Sequence, residues 1–332
     1  MGVRISRSGL VSAVANAGCV GTIASVGLGD FEYASGKEYV SISNAAIREE
    51  IRKTRTKTSR PFAINILGAL SNYNELVKIC VQERVAFIAT GSRLPLDLPS
   101  YDPENRVGLI PIVSSVRALA LIVRKWQKKY NRLPDAVIVE GPLAGGHLGY
   151  SREQLKQNDP DMLLEKFREV REYLTDLNLK IPLVVGGGIF DGKQAKRYLN
   201  SGADGVQMAT RFVCTEECDA HINFKKEYLR AEEKDVVIID SPVGLPGRVI
   251  SNPFVQRMLA GERIPFHCNY KCLKTCNPAQ SPYCIARLLA EAAAGNFENA
   301  FAFAGQNVHR CDKIVTVPEV IQAVEAEMKD AR

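Results

Sequence analysis

The chain has 332 residues, 46% hydrophobic and 24% charged, the balance of a soluble globular protein with a substantial core. Lys and Arg number 43 against 37 Asp and Glu; the resulting +6 is small for the length, fits an anionic small ligand, and argues against a nucleic-acid reader with a concentrated basic stripe. No apolar stretch approaches about 18 residues and no signal-peptide pattern opens the chain, so neither a membrane span nor export is expected, and the nine cysteines are expected as reduced thiols in the cytoplasm.

From the start to about residue 213, short β-branched runs alternate with helix-period stretches. The strand candidates are 20–25, 62–67, 86–90, 107–113, 136–141, 182–188 and 205–210. Each is apolar through its length, as parallel strands covered on both faces are. Between them, apolar positions recur at three and four residues over 8–18, 44–55, 73–83, 116–130, 161–177 and 192–202. Repeated βα units imply an α/β fold with a parallel sheet, and seven strands in series favour a closed barrel over a doubly wound sheet. The rhythm breaks after Phe212. Residues 214–290 are rich in Pro, Gly and Cys and are expected to form a smaller lid segment, with a helix near 219–230. Helices are expected again at 283–296 and from Val317 to Lys329, with Pro318 in the first turn. The expected organisation is thus a barrel over 1–213, completed by 291–332, with 214–290 appended. The basic run Arg48, Arg52, Lys53, Arg55, Lys57 and Arg60 has no interleaved aromatic residues and reads as a solvated helix face.

Four segments carry chemistry. Gly186-Gly187-Gly188 ends one strand candidate, and Gln207-Met208-Ala209-Thr210 ends the next. In barrels, phosphate sites form after the last two strands, where glycines let backbone N–H groups approach the oxygens. A tight turn alone would also explain the glycines. The third segment, Glu140-Gly141-Pro142-Leu143-Ala144-Gly145-Gly146-His147, follows another strand, and its imidazole would serve as a general base or stabilise an anion. The fourth is Asn65, either a satisfied core amide or a hydrogen-bond partner for a ligand ring. The Pro- and Gly-rich stretch 236–254 reads as a cover over the site or as a plain surface hairpin. Cys268, Cys272, Cys276 and Cys284 follow C-x3-C-x3-C-x7-C, unlike the C-x2-C pairs of most zinc and iron–sulfur sites, so no metal is expected.

The stretches FAINIL, VIVEGPLAGGHLG and VVGGGIFDGKQAKRYLNSGADGVQMATRF, in this order, together with the tail CLKTCNPAQSPYCIARLLAEAAAGNFENAFAFAG, resemble the nitronate monooxygenase family. The resemblance runs over essentially the whole chain. It implies a (β/α)8 TIM barrel with FMN at the strand C-termini and a smaller lid domain. Asn65 would meet the flavin ring, Glu140 and Gly145 would line the flavin or its ribityl chain, and Gly187 and Gly188 would hold the phosphate. Gln207, Met208, Ala209 and Thr210 would complete the phosphate cup, with Ala209 standing where most relatives have Gly. His147 matches the family's active-site histidine. The implied reaction is oxidation of alkyl nitronates with O2 to carbonyl compounds and nitrite. The implied partners are a small substrate and O2, with a homo-oligomer compatible and neither nucleic acid nor membrane involved. Flavin-dependent enoyl-[acyl carrier protein] reductases and NAD(P)H:quinone reductases share the Ala-Gly-Gly-His loop. A flavin-free phosphate-binding barrel and a thiol-rich metal-binding scaffold are the readings furthest from these. Relatives carry a strand ending Gln-Gly-Gly-Met-Gly before the first helix, whereas this chain opens Met1-Gly2-Val3. The first barrel strand is therefore expected to be missing, through a start placed downstream of the natural one or a barrel open between its second and eighth strands.

Overall fold

The computed structural model describes residues 2–29, 36–268 and 270–331. Seven strands pair side by side, in parallel and in chain order: β1 (Thr22–Ala24), β2 (Ala63–Leu67), β3 (Phe87–Gly91), β4 (Gly108–Val113), β5 (Val137–Glu140), β7 (Leu183–Gly186) and β8 (Gly205–Gln207). The strand passed over, β6 (Gly146–His147), joins β9 (Val236–Asp240) and β10 (Pro246–Ile250) in a second, antiparallel sheet of order β6-β10-β9. Among the described residues no ladder joins β8 to β1, so the parallel sheet is a barrel open at one seam. Beside that seam the Ala24 N–H donates to the Ser6 carbonyl at 3.0 Å.

Helices α1 (Ser8–Asn16), α2 (Gly36–Lys57), α3 (Tyr73–Gln82), α4 (Val116–Tyr130), α5 (Arg152–Gln157), α6 (Met162–Asp176) and α7 (Gly192–Asn200) precede or connect the parallel strands. The short α8 (Thr210–Val213) follows β8, and α9 (Ile222–Arg230), α10 (Pro253–Leu259), α11 (Ile285–Ala293) and α12 (Val317–Asp330) complete the chain. Ile64, Ile66, Leu109, Val137, Val139, Leu183 and Val185 have no exposed surface; they pack in one core with Ile47, Ile51, Leu76, Trp126 and Phe167 of the helices. These strand residues are two apart within a strand, which is the pleat alternation.

Register fixes what lies on the opposite face. Asn65 pairs with Ala89 and Ala89 with Ile110; Ile112 pairs with Ile138; Glu140 pairs with Gly186 and Gly186 with Gln207. Two-residue steps connect these pairs within β4 and β5, so Asn65, Glu140 and Gln207 share the inner face of the sheet. All three are only partly covered.

Local chemistry sets the ends of the elements. The Asp191 side chain accepts from the Gln194 N–H while the Gln194 side chain accepts from the Asp191 N–H, a capping box that starts α7 directly after the glycine triplet. Gly192 has to be glycine because a Cβ there would stand 2.1 Å from the Val324 carbonyl oxygen of α12. The same box, Thr316 with Glu319, starts α12, with a proline in the first turn.

The structure departs from the sequence expectations in three places. Helix α2 begins at Gly36 rather than near Asn44, because Tyr39 is buried and the apolar face extends a further two turns toward the N-terminus. Its basic run is not wholly a solvated face: Arg48, Arg52 and Arg55 all reach the Glu83 carboxylate, at 2.7, 3.0 and 3.3 Å. Helix α10 stands where only irregular chain was expected; the Asn252 side chain caps it and Pro253 opens it. Among the described residues no helix is long and apolar enough to cross a membrane.

Candidate functional site

The three glycine-containing segments leave the sheet at one place. Gly186 and Gln207 are paired residues of β7 and β8, so 187–188 and 208–210 emerge side by side. Glu140 pairs with Gly186 across β5 and β7, and the Gly141 N–H donates to the Gly186 carbonyl at 2.8 Å, which brings the histidine loop alongside. Gly187 and Gly188 take φ of +104° and +86°, the left-handed region that favours glycine. A Cβ on Gly187 would stand 2.8 Å from the Gly141 carbonyl oxygen, and one on Gly188 would stand 2.7 Å from Leu143 Cβ. The bare backbone of the Gly187–Gly188 turn therefore packs directly on the histidine loop.

The rim they form is open. Gly187, Gly188, Gln207, Met208 and Thr210 are half-buried, and Gly145 and Ala209 are exposed. The Thr210 hydroxyl accepts the Gly305 N–H at 3.1 Å, which leaves its own O–H available to a ligand. Asn65 lies across the mouth on β2; its amide donates to the Ala89 carbonyl at 3.4 Å, a long bond. The register places it on the face shared with Glu140 and Gln207, and no hydrogen bond joins it to the other segments among the described residues. The buried Ser25 and Ser92 hydroxyls follow β1 and β3, on either side of Asn65's strand. Neither has a hydrogen-bond partner among the described residues.

His147 belongs to the second sheet. It pairs with Gly247 of β10, its Nε2 lies 2.7 Å from Ser241 Oγ, and its ring meets the edge of Phe303 at 4.9 Å between centroids. Its edge keeps some contact with solvent, but burial pushes its pKa down to about 4, so the imidazole is neutral at pH 7. Burial acts oppositely on Glu140, pushing its carboxyl up to about 7. The stretch 236–254 is accordingly a hairpin, one whose strand carries the histidine loop.

Residues beyond those expected from the sequence hold this arrangement together. Arg248 of β10 is 1% exposed. Its guanidinium donates to the Pro142 carbonyl at 2.8 Å, the Ala144 carbonyl at 3.4 Å and the Gln306 side-chain oxygen at 3.0 Å. The segment after Phe301 links the remaining parts: the Gln306 N–H donates to the Leu143 carbonyl at 3.1 Å, and the Asn307 amide donates to the Gly188 carbonyl at 2.6 Å. The alternation of large and small residues in Phe301-Ala302-Phe303-Ala304-Gly305 is the sequence signal for such close backbone packing. Arg248 offered none, because its acceptors lie 104, 106 and 58 residues away in the chain.

An open-seamed α/β barrel with a glycine-lined cup at the C-terminal ends of its strands is the architecture in which barrel proteins hold phosphorylated ligands. Comparison with known proteins gives the narrower answer. Residues 67–327 match the model of the nitronate monooxygenase family, and the chain belongs to that family, whose members are flavin-dependent. It is 28% identical over 249 residues to a (3aS,4S,5R,7aS)-5-hydroxy-7a-methyl-1-oxo-octahydro-1H-indene-4-carboxyl-CoA dehydrogenase of Rhodococcus jostii; the match covers 75% of this chain and 60% of that protein. A probable nitronate monooxygenase of Staphylococcus saprophyticus is 36% identical over 124 residues, 37% of this chain and 34% of that protein. The chain thus spans less than two thirds of the length of these curated relatives. Among solved structures, FabK from Thermotoga maritima superposes with a TM-score of 0.76 at 27% identity, over 98% of this chain and 90% of that one.

Proposed function

We propose that the chain is an FMN-dependent nitronate monooxygenase that oxidises alkyl nitronates with O2 to carbonyl compounds and nitrite. The observation that carries the reading is the neutral imidazole of His147, held against Ser241 on the loop that packs onto the glycine cup. The cup fits the phosphate of FMN: it is backbone-lined, half-open and edged by the Thr210 hydroxyl, and Gly187, Gly188, Gln207, Met208, Ala209 and Thr210 would hold that end. Asn65, Glu140 and Gly145 would face the ring and ribityl chain. Bound there, FMN supplies the redox chemistry. The protein's part is positional and protonic. Ser241 fixes one nitrogen of His147, and the other is left to remove the α-proton of a neutral nitroalkane or to hydrogen-bond a nitronate oxygen. Phe303 and the β9–β10 hairpin exclude water from that side.

A second reading, reduction of an enoyl thioester or a quinone with a nicotinamide donor, draws support from the carboxyl-CoA dehydrogenase relative. Anaerobic titration of the flavin band separates the two. The proposal expects bleaching by an alkyl nitronate and little response to NADH. Bleaching by NADH, with colour restored by an enoyl thioester or a quinone, would overturn it.

Glu140 gives the reading a pH test. Its folded pKa of about 7 lies above the ordinary carboxyl value, so its protonated form is favoured by folding; that contribution is complete below about pH 4.5 and is lost as pH rises through 7. Protonated, it would donate a hydrogen bond to a bound flavin. FMN affinity is expected to weaken about fivefold from pH 6 to pH 8, the worth of one hydrogen bond. Glu140→Gln is expected to flatten this dependence in a fluorescence-quenching titration.

A further inference from the structure

The four cysteines from Cys268 to Cys284 line one cavity. Its volume is about 270 Å³, and Phe266, Leu273 and Ile285 supply apolar wall. All four thiols are free. Donors already approach two of them. The Lys271 N–H donates to Cys268 Sγ at 3.4 Å, and the Ser281 hydroxyl lies 3.4 Å from Cys276 Sγ.

We propose that this cavity is the seat of an iron–sulfur cluster ligated by Cys268, Cys272, Cys276 and Cys284. Four thiolates around one tetrahedral ion, each at about 2.3 Å, stand only about 3.8 Å apart. Among the described residues no group of three or more His, Cys, Asp or Glu is gathered tightly enough to hold a single ion. Four cysteines that line one cavity match a polynuclear group with four cysteine ligands. The three-residue spacing departs from the usual C-x2-C run, but residues 268 and 270–276 lie outside any helix, so spacing does not by itself decide which way the sulfurs face. N–H groups directed at sulfur and an apolar shell are the features by which proteins tune such clusters. Each thiol gives up its proton on ligation.

The cysteine segment is also stitched to the site. The Ser71 N–H, just past β2, donates to the Cys272 carbonyl at 2.9 Å, and the Thr275 hydroxyl donates to the Val243 carbonyl, next to Ser241's turn, at 3.3 Å.

The test is iron and acid-labile sulfide analysis of the full chain purified without oxygen, with electron paramagnetic resonance after dithionite reduction. The expected result is iron and sulfide in equal amounts, about four of each per chain for a cubane, and a reduced-cluster signal distinct from the flavin. Cys276→Ser and Cys284→Ser are expected to lose most of both while keeping their circular dichroism spectrum; Cys19→Ser, at an exposed thiol outside the cavity, is expected to keep both. One equivalent of zinc would overturn the proposal. So would a chain that holds neither element as isolated nor after anaerobic reconstitution with ferrous iron and sulfide.

Discussion

Replacing Arg248 with methionine is expected to lower the melting temperature by about 6 °C. The substitution keeps most of the volume but strips the donors from three buried acceptors: Pro142 O, Ala144 O and Gln306 Oε1. An acceptor left dry costs about 1–3 kcal/mol, and partial relaxation brings the total to about 3–5 kcal/mol. In a chain of this size each kcal/mol moves the midpoint by about 1–2 °C. Lysine at 248 is expected to recover only part of the loss, since one ammonium cannot span all three acceptors. Arg257→Met removes an exposed bond to Asn299 and serves as the control, expected to shift the midpoint by less than about 2 °C. If Arg248→Met is as stable as this control, the guanidinium does not hold the loop.

His147→Ala is expected to lower kcat/KM on alkyl nitroalkanes by about 10²–10⁴, the usual range for losing a general acid–base group. Flavin content is expected to be unchanged, because the imidazole makes its contacts with Ser241 and Phe303 rather than with the cup. Unimpaired turnover with full flavin occupancy would remove His147 from the chemistry. The substitution has a signature in stability too. With a folded pKa near 4, below the ordinary histidine value of 6.5, the unfolded chain binds more protons across that interval, so this residue costs stability as pH falls from about 6.5 to 4. The alanine variant should show a flatter acid limb in thermal melts between pH 7 and 5.

The parallel βα series was legible because each strand reads as a short, continuously apolar run between helix-period stretches. The register that sets Gly186 beside Gln207 follows from the same repetition, which is why the Gly187–Gly188 turn and the 208–210 turn, one βα unit apart, could be read as a single cup. What escaped the sequence are contacts with no periodicity behind them. Strand β6 has two residues, too few for any alternation, yet its pairing with β10 decides what His147 touches. Arg248 looks like any surface arginine until the fold brings residues 142 and 144 to it. Helix α2 runs on through Ser41, Ser43 and Asn44, polar residues that break the apolar period, and Asn72 at the start of α3 donates to the Ser43 and Asn44 side chains. The cysteines illustrate a related gap: spacing along the chain is not spacing in space, and only the folded cavity gathers the four thiols.

The imidazole and the glycine cup answer to different sheets. His147 moves with the β9–β10 hairpin, while residues 187–188 and 208–210 move with the parallel strands. The two are not independent, because Arg248 of that hairpin grips the Pro142 and Ala144 carbonyls of the loop against which Gly187 and Gly188 pack. A hairpin transplanted from a relative would therefore have to bring an arginine at this position with it. One buried guanidinium limits how freely the two sheets can diverge from each other.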